Sequence, residues 1–144
     1  MSESDIQRDI CTYLDTQNIL FWRQNNAPIY DPTRQVFRKR GKWQAIGVSD
    51  IIIILPESVI FAEVKQPKAE QSPDQIAFSK AILDGTSFSY IVLTSIDDAI
   101  ALVESIKKHG YSSDLRKSLY KTAVQEYKAY ETQKNYTQKK VQRR

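Results

Sequence analysis

Two short apolar runs, residues 51–55 and 59–62, stand on either side of Pro56-Glu57-Ser58. The three residues between them are turn formers, so the runs read as the two strands of a β-hairpin. This hairpin constrains the chain more than any other feature. It commits the middle of the sequence to a sheet, and it brings charged residues together at one end.

Asp50 precedes the first run, and Glu63 and Lys65 close the second with Val64 between them. Strand residues two apart point to the same face. Glu63 and Lys65 therefore share a face. A register that sets Asp50 opposite Glu63, or one that sets it opposite Lys65, brings all three onto that face. A slip of one residue turns Asp50 to the other face, unless a bulge restores it. Charged side chains are rarely buried without a partner or a metal. Two acids and a lysine gathered on a sheet are the groups that metal-dependent phosphodiester cleavage requires.

Around the hairpin the chain alternates between strand and helix signals. Residues 5–16 read as a helix with Ile6, Ile10, Tyr13 and Leu14 on one stripe and Ser4 and Gln7 as a capping box. Residues 19–24 read as a strand and 25–33 as a loop. Residues 36–40 and 42–46 read as short strands about Gly41. Ser72-Pro73-Asp74-Gln75 combines an N-cap, a proline at the first helical position and a glutamine at N3. That helix runs to Asp84 and stops at Gly85. Residues 88–94 form an apolar strand. Ser95 then caps a helix with Ile96, Ile100, Val103 and Ile106 on its apolar side, ending at Gly110. The strand–helix–strand stretch is a crossover, which implies a parallel pair. The expected fold is α/β, a mixed sheet with helices packed on it.

The chain has 144 residues, enough for one domain with a core. It carries 21 Lys and Arg against 17 Asp and Glu. The excess is uneven: residues 111–144 hold nine basic and three acidic residues, and residues 1–110 hold twelve and fourteen. The expected organisation is a domain over 1–110 and a basic extension over 111–144, partly helical or disordered and fraying past Thr132. The extension suggests a polyanionic partner, or else a solvated helix or tail. Cys11 is the only cysteine, so neither an internal disulfide nor a cysteine metal cluster is expected, and its spacing with Ile10 and Leu14 makes it a core residue. Ser2-Glu3-Ser4-Asp5 has no signal-peptide character, and the longest apolar run is too short to cross a membrane. An intracellular, reducing compartment is the expectation.

Three motifs in order carry a resemblance: Gly47-Val48-Ser49-Asp50, then Glu63-Val64-Lys65, then Ser72-Pro73-Asp74-Gln75 before an amphipathic helix. Glu3 and Gln7 on the first helix and Arg23-Gln24-Asn25 add to it. Over residues 3 to about 104 the chain resembles the virus-type replication-repair nuclease module of the PD-(D/E)XK superfamily. The superfamily's proline before the aspartate is absent, and this branch is similar in carrying Gly-x-x-Asp instead. The resemblance implies a restriction-endonuclease-like αβββαβ core. It implies that Asp50 and Glu63 bind Mg²⁺ or Mn²⁺ with the backbone carbonyl of Val64. Lys65 would orient or activate water, and Gln75 would face the site from its helix. Glu3 is implied as a further metal ligand or a water-positioning acid. The resemblance also implies branched or junction DNA as substrate, a homodimer like the Holliday-junction resolvases, and the cytoplasm of a bacterium or phage-infected host.

Each residue also has a plainer reading. Glu63 and Lys65 would make a surface pair on an edge strand, and Glu3 would favour a helix N-terminus. Gln75 would be the N3 partner of Ser72, a role that competes with the site for the same amide. Gln7 has the same ambiguity. Arg34, Arg38, Lys39, Arg40 and Lys42 surround Phe37, Gly41 and Trp43. They would bind phosphates and stack unpaired bases, or else form a solvated hairpin. Arg23 would reach a phosphate, or pair with Asp15 or Asp31. His109 suits a helix C-terminus. No Gly-rich phosphate loop is present, so ATP use is not indicated. Beside the nuclease stand two other functions: a catalytically silent nucleic-acid-binding module of the same fold, and an interaction protein that works through its tail.

Overall fold

The hairpin forms as the turn residues require. The computed structural model describes residues 1–24, 27–38 and 41–142. The elements run α1 (Glu3–Thr16), β1 (Leu20–Arg23), β2 (Tyr30–Asp31), β3 (Val36–Phe37), β4 (Ile51–Ile54), β5 (Val59–Val64), α2 (Pro73–Gly85), β6 (Ser89–Leu93), α3 (Ile96–His109) and α4 (Ser113–Gln142). The main sheet has the order β1-β4-β5-β6, and β2 and β3 form a separate ribbon. β1, β4 and β5 pair antiparallel, while β5 and β6 are parallel with α2 as the crossover. The molecule is thus a mixed α/β fold with a mixed four-stranded sheet and flanking helices.

The alternation of strand side chains sorts the core into two layers. On one face Ile51, Ile53, Ile60, Ala62, Val64 and Leu93 meet Ile6, Ile10 and Leu14 of α1 and Ala99, Leu102 and Val103 of α3. On the other face Phe61, Tyr90 and Val92 meet α2 through Ile76, Phe78 and Leu83, and α4 through Ala123 and Val124. Phe61 and Phe78 pack edge to face with ring centres 5.5 Å apart. Each fully buried Ile or Leu contributes about 1.5–3 kcal/mol relative to exposure, so this sandwich is the main support of the mouth of the hairpin.

Ile51 lies opposite Ala62, which sets Asp50 opposite Glu63 on the α2 face. Of the registers open to the sequence, the first is the one formed.

Several expectations need correction. The N-cap of α1 is Ser2, boxed with Asp5, and not Ser4 with Gln7. Gln7 is buried and lies inside the helix. Residues 42–46 form no strand, β3 ends at Phe37 with 39 and 40 outside the described residues, and Tyr30–Asp31, within the expected loop, pair with it as β2. The buried stripe of α3 is Ala99, Leu102 and Val103, with Ile106 packed against it, and Ile96 is exposed. α2 includes Gly85 and is capped by Thr86 in an extended conformation. The C-terminal segment is one helix to Gln142, so helical backbone extends past Thr132. It contains neither Gly nor Pro from 113 to 142, so nothing in it breaks the helix. Among the described residues, no helix is long and apolar enough to cross a membrane.

Candidate functional site

Asp50 sits where β1, β4 and β5 converge. Its carbonyl accepts the Gln24 backbone N–H at 2.7 Å, which joins it to the end of β1. One carboxylate oxygen, Oδ2, accepts the Val64 N–H at 2.9 Å. The side chain is thereby held across the hairpin, beside Glu63.

Glu63 is 1 % exposed on an inner strand, so it is not half of a surface ion pair. Its Oε1 accepts the Gln75 side-chain N–H at 2.7 Å. Its Oε2 is buried and receives no hydrogen bond among the described residues. Burial is the main cause that pushes the Glu63 carboxyl up to about 9, and the Asp50 charge and a hydrogen bond with Asp50 push the same way. Lys65 opposes the shift, and Glu3 adds to it weakly. Two acids therefore face each other in a poorly solvated place, which disfavours ionising both.

Gln75 does both of the things expected to compete. Its Oε1 accepts the Ser72 backbone N–H at 2.8 Å, and Ser72 Oγ accepts the Gln75 N–H at 3.2 Å, which completes the capping box. The amide nitrogen remains available for Glu63. An amide has a donor end and an acceptor end, and the helix start uses one while the site uses the other.

Lys65 is partly buried, with its side chain 12 % exposed and Nζ 3.8 Å from Glu3 Oε1. Glu3 thus meets the lysine and does not complete a cluster with Asp50 and Glu63. Among the described residues, no group of three His, Cys, Asp or Glu side chains is placed to hold a metal. The donor set that does form is two facing carboxylates, one with an oxygen lacking any donor among the described residues. That suits a hard cation, which takes oxygen ligands and keeps several waters.

Gly47 has a role that its motif did not reveal. Its φ is +71°, and a Cβ there would lie 2.3 Å from the Asp74 carbonyl oxygen. The loop before Asp50 is therefore pressed against the first turn of α2, the turn that carries Gln75. The only hint in the sequence was a glycine at the head of the motif. Gln24 stood in the Arg23-Gln24-Asn25 stretch, but its contact is made by backbone, which side-chain identity does not reveal.

A cleft of about 810 Å³ opens over these residues, lined by Asp50, Asp74, Gln75, Gln24, Gly47 and Arg38 among others. Arg38 thus faces the same space as Asp50. Lys42 lies with Nζ 4.9 Å from the centre of the Trp43 ring. Arg23 is exposed at the end of β1, and among the described residues it makes no ion pair with Asp15 or Asp31. Lys39, Arg40 and Asn25 lie outside the described residues. Cys11 packs against the α1 side of the core, as expected, and burial pushes its thiol up. No protein-family model matches the chain, and no curated protein matches it either.

Proposed function

We propose that the chain is a metal-dependent endonuclease that hydrolyses phosphodiester bonds in branched or junction DNA, on a restriction-endonuclease-like fold. The observation that carries this reading is Glu63. In its ionised form a buried glutamate whose Oε2 receives no hydrogen bond among the described residues, facing a second carboxylate, costs stability. A divalent cation would relieve both the repulsion and the missing partner. Asp50 and Glu63 would hold Mg²⁺ or Mn²⁺, with the Val64 carbonyl as a further oxygen. Such an ion supplies Lewis acidity, which lowers the pKa of water and polarises a phosphoryl oxygen.

The remaining work falls to the chain itself. Gln75 fixes the rotamer of Glu63 through Oε1, and the capping box fixes Gln75 in turn. The Val64 N–H holds Asp50. Lys65 brings a cation beside the acids, where it offsets negative charge building on phosphate. Glu3 steadies that ammonium from α1. Arg38, on the wall of the cleft, suits a backbone phosphate. Junction preference, a homodimer that cuts two strands, and action in the cytoplasm of a bacterium or phage-infected host follow from the family resemblance and complete the reading.

The test is cleavage of a labelled four-way DNA junction and a linear duplex by wild type, Asp50→Asn and Lys65→Ala, with Mg²⁺ or Mn²⁺ and EDTA controls. Metal-dependent cleavage by wild type alone is expected, with paired symmetric cuts in the junction. Binding by all three proteins with no cleavage would instead assign the fold to a silent nucleic-acid-binding module.

A further inference from the structure

Residues 32–49 hold five basic residues and no acid. This stretch also builds one wall of the cleft, through Arg38, Gly41, Gln44 and Ile46. It exposes aromatic surface that the core does not use. Trp43 is 89 % exposed, and Phe37 and Tyr30 are exposed too. Tyr30 and Phe37 brace each other edge to face, with centres 5.4 Å apart. Trp43 instead carries the Lys42 ammonium over its ring. An indole this exposed, beside basic residues, leaves ring surface open to a stacking partner.

We propose that Trp43 is a stacking platform for an unpaired nucleobase, on a strand whose phosphates follow Lys42 and Arg38 into the cleft at Asp50. The inference rests on the reading of that cleft as a nucleic-acid site, and it names the substrate class: strands with unpaired nucleotides beside the point of cleavage. Bases inside a duplex are covered on both faces by their neighbours, so an exposed indole finds a partner only where pairing or stacking is broken. The charge selects a polyanion, and the ring selects its unpaired part. A strand engaged in this way is led along the basic wall to the acids, so duplex and branched substrates are separated before any chemistry occurs.

The test removes chemistry so that binding is read alone. All proteins carry Asp50→Asn and are kept in EDTA. Trp22→Phe leaves Trp43 as the only indole, since the chain has two tryptophans. Oligothymidylate and a blunt duplex of equal length are titrated, with emission and labelled-probe anisotropy both recorded. The single strand is expected to quench the indole. In the protein that retains Trp22, Trp43→Ala is expected to weaken single-strand binding about tenfold and duplex binding less than twofold, while Trp43→Phe keeps most of the affinity. Binding without quenching, equal weakening for both probes, or no binding to either would overturn the proposal. So would a change of oligomeric state on Trp43→Ala in sedimentation, which would make the ring a protein contact. The nuclease reading is judged separately: junction cleavage by otherwise wild-type protein without quenching would leave the enzyme and remove the platform. Quenching with no cleavage in any metal would do the reverse.

Discussion

At the scale of single residues, Glu63 is held in a protonation state that its surroundings impose. Burial, then the Asp50 charge, raise its carboxyl from 4.5 to about 9. The unfolded chain releases this proton near 4.5, whereas the metal-free fold keeps it until about 9. Between those values the folded state binds more protons than the unfolded state, so stability falls as pH rises. The contribution is complete below the lower value and lost above the upper one. Within the window the slope approaches about 1.4 kcal/mol per pH unit. Urea unfolding in EDTA should therefore show wild type weakening from pH 5 to pH 8. Glu63→Gln, which mimics the protonated acid and keeps an oxygen for Gln75, should flatten that profile and exceed wild type at pH 8. A wild-type profile as flat as the variant's would show that Glu63 ionises normally. Metal binding needs the ionised form, so Mn²⁺ should raise the wild-type midpoint more at pH 8 than at pH 6, and leave Glu63→Gln unmoved.

Among the elements, the decisive contact is between the Gly47 loop and the first turn of α2. Gly47→Ala must adopt a positive φ and also displace the Asp74 carbonyl, a backbone atom that cannot rotate away. The first effect alone costs about 1–2 kcal/mol, and the second shifts the turn that presents Gln75 to Glu63. Ser72→Ala removes only the cap, about 1 kcal/mol. Thermal unfolding should therefore show a larger loss for Gly47→Ala, with the greater loss of cleavage as well. An alanine variant as active as wild type would mean that the loop does not position Gln75. This contact joins residues far apart in the chain, which is why the motif showed the glycine but not its reason. The hairpin, its turn and the Ser72 box were legible because strand alternation and capping are local. The N-cap of α1 was not, since Ser2 with Asp5 and Ser4 with Gln7 are overlapping boxes of equal quality. Burial of Gln7 decided between them, and burial belongs to the fold. The stripe of α3 was right at Val103 and Ile106 but not at Ile96, which is as apolar as Ile106 yet exposed. The acids and the lysine were legible because their spacing is a strand property. The double use of Gln75 was hidden by treating its amide as a single group.

For the whole molecule, α4 divides into a half that belongs to the domain and a half that does not. Its first part packs on the sheet: Leu119 meets the α1–α3 layer, and Tyr120, Ala123 and Val124 meet the α2 layer beside Tyr90. Arg116 ties it to the turn before β6, donating to the carbonyls of Ser87 at 2.7 Å and Thr86 at 3.1 Å. From Glu131 to Gln142 every residue is exposed, and an exposed Lys80–Glu131 pair at 3.4 Å ties the start of this stretch to α2. Exposed pairs of this kind contribute about 0–1 kcal/mol. A chain ending at Glu131 keeps that pair and should match the full chain in unfolding free energy within about 0.5 kcal/mol. A chain ending at Ser112 uncovers Tyr90 and Val92 and should lose the cooperative transition or aggregate. Stability and binding then separate. Residues 132–144 contain five basic residues and no acid. If they meet DNA phosphates, the shorter chain should bind with a salt dependence reduced by about 0.9 in log–log slope for each phosphate it no longer neutralises. The expected result is a smaller slope with an unchanged preference between single strand and duplex, because phosphate contacts position a nucleic acid and do not by themselves read its structure. An unchanged slope would make the end of α4 a solvated helix and leave binding to Arg38 and Lys42.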